Sequence, residues 1–222
     1  MNPGNDTAHS GAAGPRIVRH ALTDRCFHWL TAASVLTLLA TAFLPIMGIK
    51  FPWVTTHWIA GLILTVAVAF HLVRTLFWQR LKIIWFGLTD LKEALASLGR
   101  FLKIKKTEAA KPGKYSPAQK LMHHVVTVFI LTAVVTGLLM MAKIDTPFWK
   151  RNPYWLSSDS WGIIYILHDF AALSLVTLIM VHVYFALRPE KLFYTRSMIK
   201  GWISREEYLR EHDPERWREG EP

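Results

Sequence analysis

Ten histidines stand out as the residues able to do chemistry. His28, His57, His71, His168 and His182 lie inside long apolar stretches, and His123 and His124 open another. An ionisable side chain in such a setting is costly and marks function by default. His9, His20 and His212 lie in polar segments and are assigned no function here. Spacing sharpens the reading. His57 and His71 are 14 residues apart, and so are His168 and His182. At about 100° per residue, 14 steps return a helical side chain to within about 40° of the same face and about 21 Å further along. Two helices would thus each carry one imidazole near either end, with His28 level with His71 and His182. Neutral imidazole ligates iron axially through one nitrogen. Facing histidines at two depths suit two haems, one above the other. Two histidines per iron leave no open position, which favours electron transfer over oxygen chemistry. Spacing alone would prefer His71 to His28 as the inner ligand with His182, and both stay open at this point. Two rivals stand beside this reading: ordinary helix packing, and a metal-ion or proton transporter using the histidine rows. Transport would gain from carboxylates in the apolar stretches, where only Asp169 occurs.

The elements that must position these residues are legible from missing charge. No Asp, Glu, Lys or Arg lies between Arg25 and Lys50, from Phe51 to Val73, or from Leu121 to Ala142, and Ser160 to Leu187 carries only Asp169. Each run matches the roughly 20 helical residues that cross a hydrocarbon core. The chain has 222 residues, 52% hydrophobic and 19% charged, which excludes disorder, a collagenous fold and a disulfide scaffold. The single cysteine, Cys26, can form no intramolecular disulfide and alone holds neither an iron–sulfur cluster nor structural zinc. No Cys-x-x-Cys-His is present, so haem would be bound non-covalently. The expected fold is an all-α integral membrane protein: a four-transmembrane-helix bundle with a cytoplasmic amphipathic helix and a short cytoplasmic C-terminal helix. Residues 1–15 read as a disordered tail with no cleavable signal, 16–190 as the membrane domain and 191–222 as a C-terminal tail. Within the 83–116 loop, apolar residues from Ile84 to Leu102 recur at helical spacing, before a basic linker containing Pro112 and Gly113. Ser204 and Glu207 have capping-box spacing for the last helix.

Basic residues set the orientation. Twenty-two Lys and Arg flank one side of the spans, against Lys50, Lys143, Lys150 and Arg151 on the other. The positive-inside rule then predicts a multi-pass protein with both termini and the middle loop cytoplasmic. The net charge of +10 reflects that asymmetry and attraction to the lipid bilayer; no nucleic acid partner is expected. Trp53, Trp58, Trp149, Trp155 and Trp161 would mark the outer interface, and Trp29 and Trp78 the inner one.

Several segments carry a resemblance. Asp24 to Trp29 (DRCFHW), His57 to Gly61 (HWIAG) and Gly113 to Lys120 (GKYSPAQK) resemble the cytochrome b (gamma) subunit of respiratory formate dehydrogenase. So do His168, His182 with Val183 and Tyr184, Ser197 to Gly201 and Pro214 to Trp217. The likeness runs from about Arg16 to Trp217 and extends to the di-haem cytochromes b of nickel–iron hydrogenases and thiosulfate reductases. It implies two haems b, with His57 and His168 as outer ligands and His28 and His182 as inner ones. It implies a periplasmic iron–sulfur subunit as electron donor, a catalytic molybdenum or tungsten subunit beyond it, and quinone as acceptor. Quinone contacts are implied at Ser116, Ala118, Gln119 and His182; Ser116 and Ala118 stand where the family has Asn and Gly. His123 and His124, one turn deeper, are candidates to relay protons. Gly61 and Gly137 are candidate haem-packing positions, where the absence of a side chain admits a porphyrin or a neighbouring helix. The chain would be an anchor and electron conduit, with the primary substrate decided on another subunit.

Overall fold

The computed structural model describes residues 15–78, 84–101 and 111–218; the predicted tail before Pro15 and the linker at 102–110 lie outside them. Among the described residues, four helices are long and apolar enough to cross a membrane: α1 (Leu22–Phe43), α2 (Trp53–Trp78), α4 (Pro117–Met140, continued by a 3-10 turn to Lys143) and α5 (Ser158–Leu187). The chain is therefore a multi-pass membrane protein. Large residues such as Phe70, Phe77, Ile166 and Phe170 point outward, while small ones, Ala60, Ala67 and Ala171, are buried. Lipid is as apolar as a protein core, so bulk gains nothing by turning inward, and small side chains let backbones approach.

Local signals start the helices. Ser116 caps α4: its Oγ accepts from the Gln119 N–H at 3.3 Å, and the Gln119 Oε1 accepts from the Ser116 N–H at 2.9 Å. Pro117 follows at the first helical position, where its missing N–H costs nothing. Ser157 caps α5 in the same way through the Ser160 N–H.

The helices pair as two hairpins. α1 packs along α2 and α4 along α5, whereas the hairpins touch each other sparsely, mainly between α2 and α4. The end carrying the start of α1, the end of α2, the start of α4 and the end of α5 is called the terminal end below; the other is the loop end.

At the terminal end the chain departs from a purely helical plan. β1 (Arg16–Val18) pairs antiparallel with β2 (Trp202–Ser204), in register Ile17 to Ile203. Three-residue strands carry too little alternation to be read locally, and these two meet only through the folding of the whole chain. Around the ribbon pack α6 (Leu192–Lys200) and α7 (Arg205–Glu211), whose capping box at Ser204 and Glu207 forms as expected. Ile17, Phe193, Ile203, Tyr208 and Trp217 form its core. His212, read as having no role, is fully buried: it accepts from Arg19 Nη1 at 2.8 Å through Nε2 and donates from Nδ1 to the Gly113 carbonyl at 2.7 Å. The amphipathic helix α3 (Leu88–Phe101) is tied to the same assembly, through Asp90 to Lys120 at 2.9 Å and through Glu93 to Arg216.

Candidate functional site

The predicted histidines meet across the gap between the hairpins. His57 on α2 faces His168 on α5, ring centroids 6.3 Å apart, towards the loop end. His28 on α1 faces His182 on α5, centroids 6.2 Å apart, towards the terminal end. Metal–imidazole bonds are about 2.0 Å, and a ring centroid lies about 1.1 Å behind its nitrogen, so two imidazoles on opposite sides of one metal have centroids about 6.2 Å apart. Both pairs have that separation.

Hydrogen bonds decide the state of the loop-end pair. Thr41 Oγ1 lies 2.8 Å from His57 Nδ1 and donates its own proton back to the carbonyls of Thr37 and Leu38 at 2.8 and 2.9 Å. Thr136 Oγ1 lies 2.9 Å from His168 Nδ1 and donates to the carbonyls of Thr132 and Ala133 at 2.6 and 3.2 Å. With each hydroxyl proton committed to backbone, each threonine can only accept from its histidine. Both imidazoles therefore carry their proton on Nδ1 and present a bare Nε2 lone pair, the form that binds a metal. Sequence reading missed Thr41 and Thr136. Threonine is common in apolar helices, and the available signal was a pair of threonines level with the outer histidines. Gly137 sits beside this pair: a Cβ there would meet His168 Cε1 at 3.4 Å, so the glycine leaves the imidazole its place. Gly61 faces Leu38 at 3.9 Å, across the α1–α2 packing.

At the terminal end, Trp29 stands edge-on to His28 with centroids 5.2 Å apart and donates its indole N–H to the Met198 carbonyl at 3.1 Å. Arg74 of α2 pairs with Asp24 of α1 one turn before His28. His71, the alternative partner for His182, is turned elsewhere. It stacks on Phe27 at 4.1 Å and faces His123 at 6.4 Å, where α2 and α4 touch directly. Its Nδ1 is buried without a hydrogen-bond partner. His124 donates from Nδ1 to the Lys120 carbonyl at 2.8 Å and meets Trp85 edge-on. Ser116, Ala118 and Gln119 occupy the first turn of α4 and its cap, so the Ser116 and Gln119 oxygens serve the capping box while the Gln119 amide N–H2 group takes no part in it.

Below His28 gathers a polar cluster outside the spans. Burial, then Arg19 and Lys114, pushes His20 down to about 3, so its imidazole is neutral. Burial and Arg19 lower Lys114 to about 8, and burial raises Tyr115.

Haem b fits what these residues offer. Two hairpins that touch sparsely are spanned by imidazole pairs at the separation of two imidazoles on one metal, and at the loop end Nδ1 is engaged by threonine so that Nε2 is left for a metal. Such an arrangement defines a membrane cytochrome. Residues 19–201 match the prokaryotic cytochrome b561 family, and the chain belongs to it. Membership makes it a haem b protein acting in membrane electron transport, which sets the transporter reading aside. Among curated proteins it is similar to the cytochrome b556(fdo) subunit of formate dehydrogenase from Escherichia coli strain K12, 25% identical over 214 residues that cover 91% of this chain and 92% of the relative. It is also similar to the cytochrome b556 subunit of formate dehydrogenase from Haemophilus influenzae, 25% identical over 221 residues covering 92% and 83%.

Proposed function

We propose that this chain is the cytochrome b subunit of a formate dehydrogenase, anchoring it in the bacterial inner membrane and carrying electrons from a periplasmic iron–sulfur subunit to quinone. Its two facing histidine pairs carry the reading, and its similarity along most of its length to two formate dehydrogenase subunits supports the choice of complex. A bound haem b supplies one reversible electron at its iron. His57 and His168 would hold the outer haem, with Thr41 and Thr136 fixing their tautomers. His28 and His182 would hold the inner haem. Both termini lie in the cytoplasm on the basic-residue count, which puts the His57 pair nearest the periplasmic donor. Quinone would bind at the start of α4, at the same end of the bundle as His182. The Gln119 amide donates there to a quinone carbonyl, and His123 and His124 offer imidazole nitrogens as a proton route.

A haemochrome titration should give two haems per chain, and His57→Ala or His168→Ala should remove one and leave the other. One haem in the unaltered protein overturns the assignment. For quinone, Gln119→Glu is the informative change, since a glutamate keeps the capping-box acceptor and exchanges the amide donor for a carboxylate that cannot donate. Haems still reduced by formate, with quinone turnover slowed about 10-fold, would match loss of a bond worth about 1–1.5 kcal/mol. Unchanged turnover would move the site elsewhere.

A further inference from the structure

Among the described residues, positive charge gathers beneath the His28–His182 pair. Arg19 is only 2% exposed; its Nη atoms reach His212 and the Lys114 carbonyl, while its Nε is buried without a hydrogen-bond partner. Arg25, one helical turn before His28, donates to the Ile199 carbonyl at 2.5 Å, and its Nε is likewise buried and unpartnered. Gly201, at a φ of 89°, makes room for it: a Cβ there would meet Arg25 Nε and Cζ at 3.2 Å. Lys114 lies over the rings of Tyr115 and Trp217, at 5.8 and 6.0 Å. Arg19, Arg25, Lys114 and His28 are all electrostatic neighbours of His20. Asp24 pairs with Arg74 and is also an electrostatic neighbour of Lys114, one carboxylate among several cations. Arg19 is a buried cation whose side-chain hydrogen bonds go to neutral groups, and Arg25 and Lys114 stand half-buried beside it, so an anion from outside the chain would stabilise all three.

We propose that Arg25 and Lys114, with the buried Arg19 behind them and His20 as a neutral donor, form the site that receives the propionate carboxylates of the haem held by His28 and His182. Three observations converge. The cluster stands at the terminal side of that pair, where the bundle gives way to its polar cap. It offers unsatisfied N–H donors suited to carboxylate. Arg25 sits on the same helix as His28, so positioning of the imidazole and of the anion site is shared. The loop-end pair is held by Thr41 and Thr136; this pair would be held through its cofactor's acid groups. The proposal rests on the assignment of a haem to His28 and His182.

The test is a redox titration of both haems in the assembled complex, for the unaltered protein, Arg25→Gln, Lys114→Met and the charge-keeping Arg25→Lys. A cation beside the haem favours the reduced form, in which the iron carries one positive charge fewer. Removing it should shift the oxidised-to-reduced ratio of the inner haem about tenfold towards oxidised at fixed potential, which is 59 mV for a one-electron couple. The outer haem should not move, and Arg25→Lys should restore most of the shift. Reconstitution with haem dimethyl ester, whose propionates carry no charge, supplies the second arm: the ester should bind the unaltered protein less tightly at the inner position, and the two neutral variants should no longer discriminate between haem and ester. An inner potential that stays put in both neutral variants overturns the proposal. Retained discrimination against the ester also overturns it, and assigns the cluster to another anion, such as a lipid phosphate. Failure to find a second haem in the unaltered protein overturns the His28–His182 assignment itself, a result distinct from two haems with an insensitive inner one.

Discussion

Thr41 and Thr136 carry more of the chemistry than their type suggests. Each is buried, each returns its proton to the preceding helical turn, and each thereby dictates which nitrogen of its histidine is bare. Thr41→Val keeps shape and loses the hydroxyl acceptor, leaving His57 with the Leu38 backbone as its remaining hydrogen-bond partner. Such supporting contacts are commonly worth 10–100-fold in metal affinity. The expected result is partial loss of the outer haem on purification, with the inner haem retained, and recovery in Thr41→Ser. Full outer occupancy in Thr41→Val, measured by haem content per chain, would mean that packing alone orients His57. His57, His168 and His182 were legible because imidazole in a membrane span is rare and 14-residue intervals repeat it, whereas the intervals offered His71 as the fourth and only the DRCFHW resemblance pointed to His28. The threonines were not, because a hydroxyl satisfied by its own helix leaves no trace in composition.

Among the elements, the terminal cap owes least to local sequence. Its capping boxes could be read from a few residues, and the Ser204–Glu207 box was. Its centre joins positions 193 residues apart in the chain, Arg19 and His212, and nothing local announces such a pairing. His212 there is neutral, accepting from Arg19 on one nitrogen and donating to Gly113 from the other. Burial, reinforced by Arg19, pushes it down to about 4 from its ordinary 6.5. The unfolded chain therefore binds a proton between those values that the folded cap refuses. Stability from this group is fully present above about pH 6.5 and is lost as pH falls towards 4. Trp217, packed edge-on to His212 at 4.8 Å, is the reporter. Its fluorescence should report loosening of the cap across that window. In His212→Gln the transition should flatten, since an amide keeps one donor and one acceptor but does not titrate. An unaltered acid transition in that variant would assign it to carboxylates such as Glu207 or Glu211.

Across the whole molecule, the four spans were legible because a membrane tolerates so few charges that their absence marks each boundary within a few residues. How the spans pack was not, because helices in lipid have no apolar face to hide. The structure answers with two hairpins, tightly paired within themselves and sparsely joined to each other. Buried small residues, Ala60 and Ala67 on α2 and Ala171 on α5, belong to close helix contacts, whereas the facing histidines bridge the open side. Protein contacts alone leave the hairpins weakly coupled, so the haems would supply much of the contact between them. A ligand that binds only the assembled form stabilises it by RT ln(1 + [L]/Kd), about 4 kcal/mol at a thousandfold excess over Kd. Chain produced without haem should keep its helical content, since each helix satisfies its own backbone bonds in lipid. It should nonetheless lose the cooperative thermal transition of the loaded protein. Cysteines introduced on the facing sides of α2 and α5 should cross-link efficiently with haem bound and poorly without it, while a pair across α1 and α2 should link equally well in both. Equal cross-linking between α2 and α5 in the haem-free chain would show that direct contacts between the hairpins are enough to hold the bundle together.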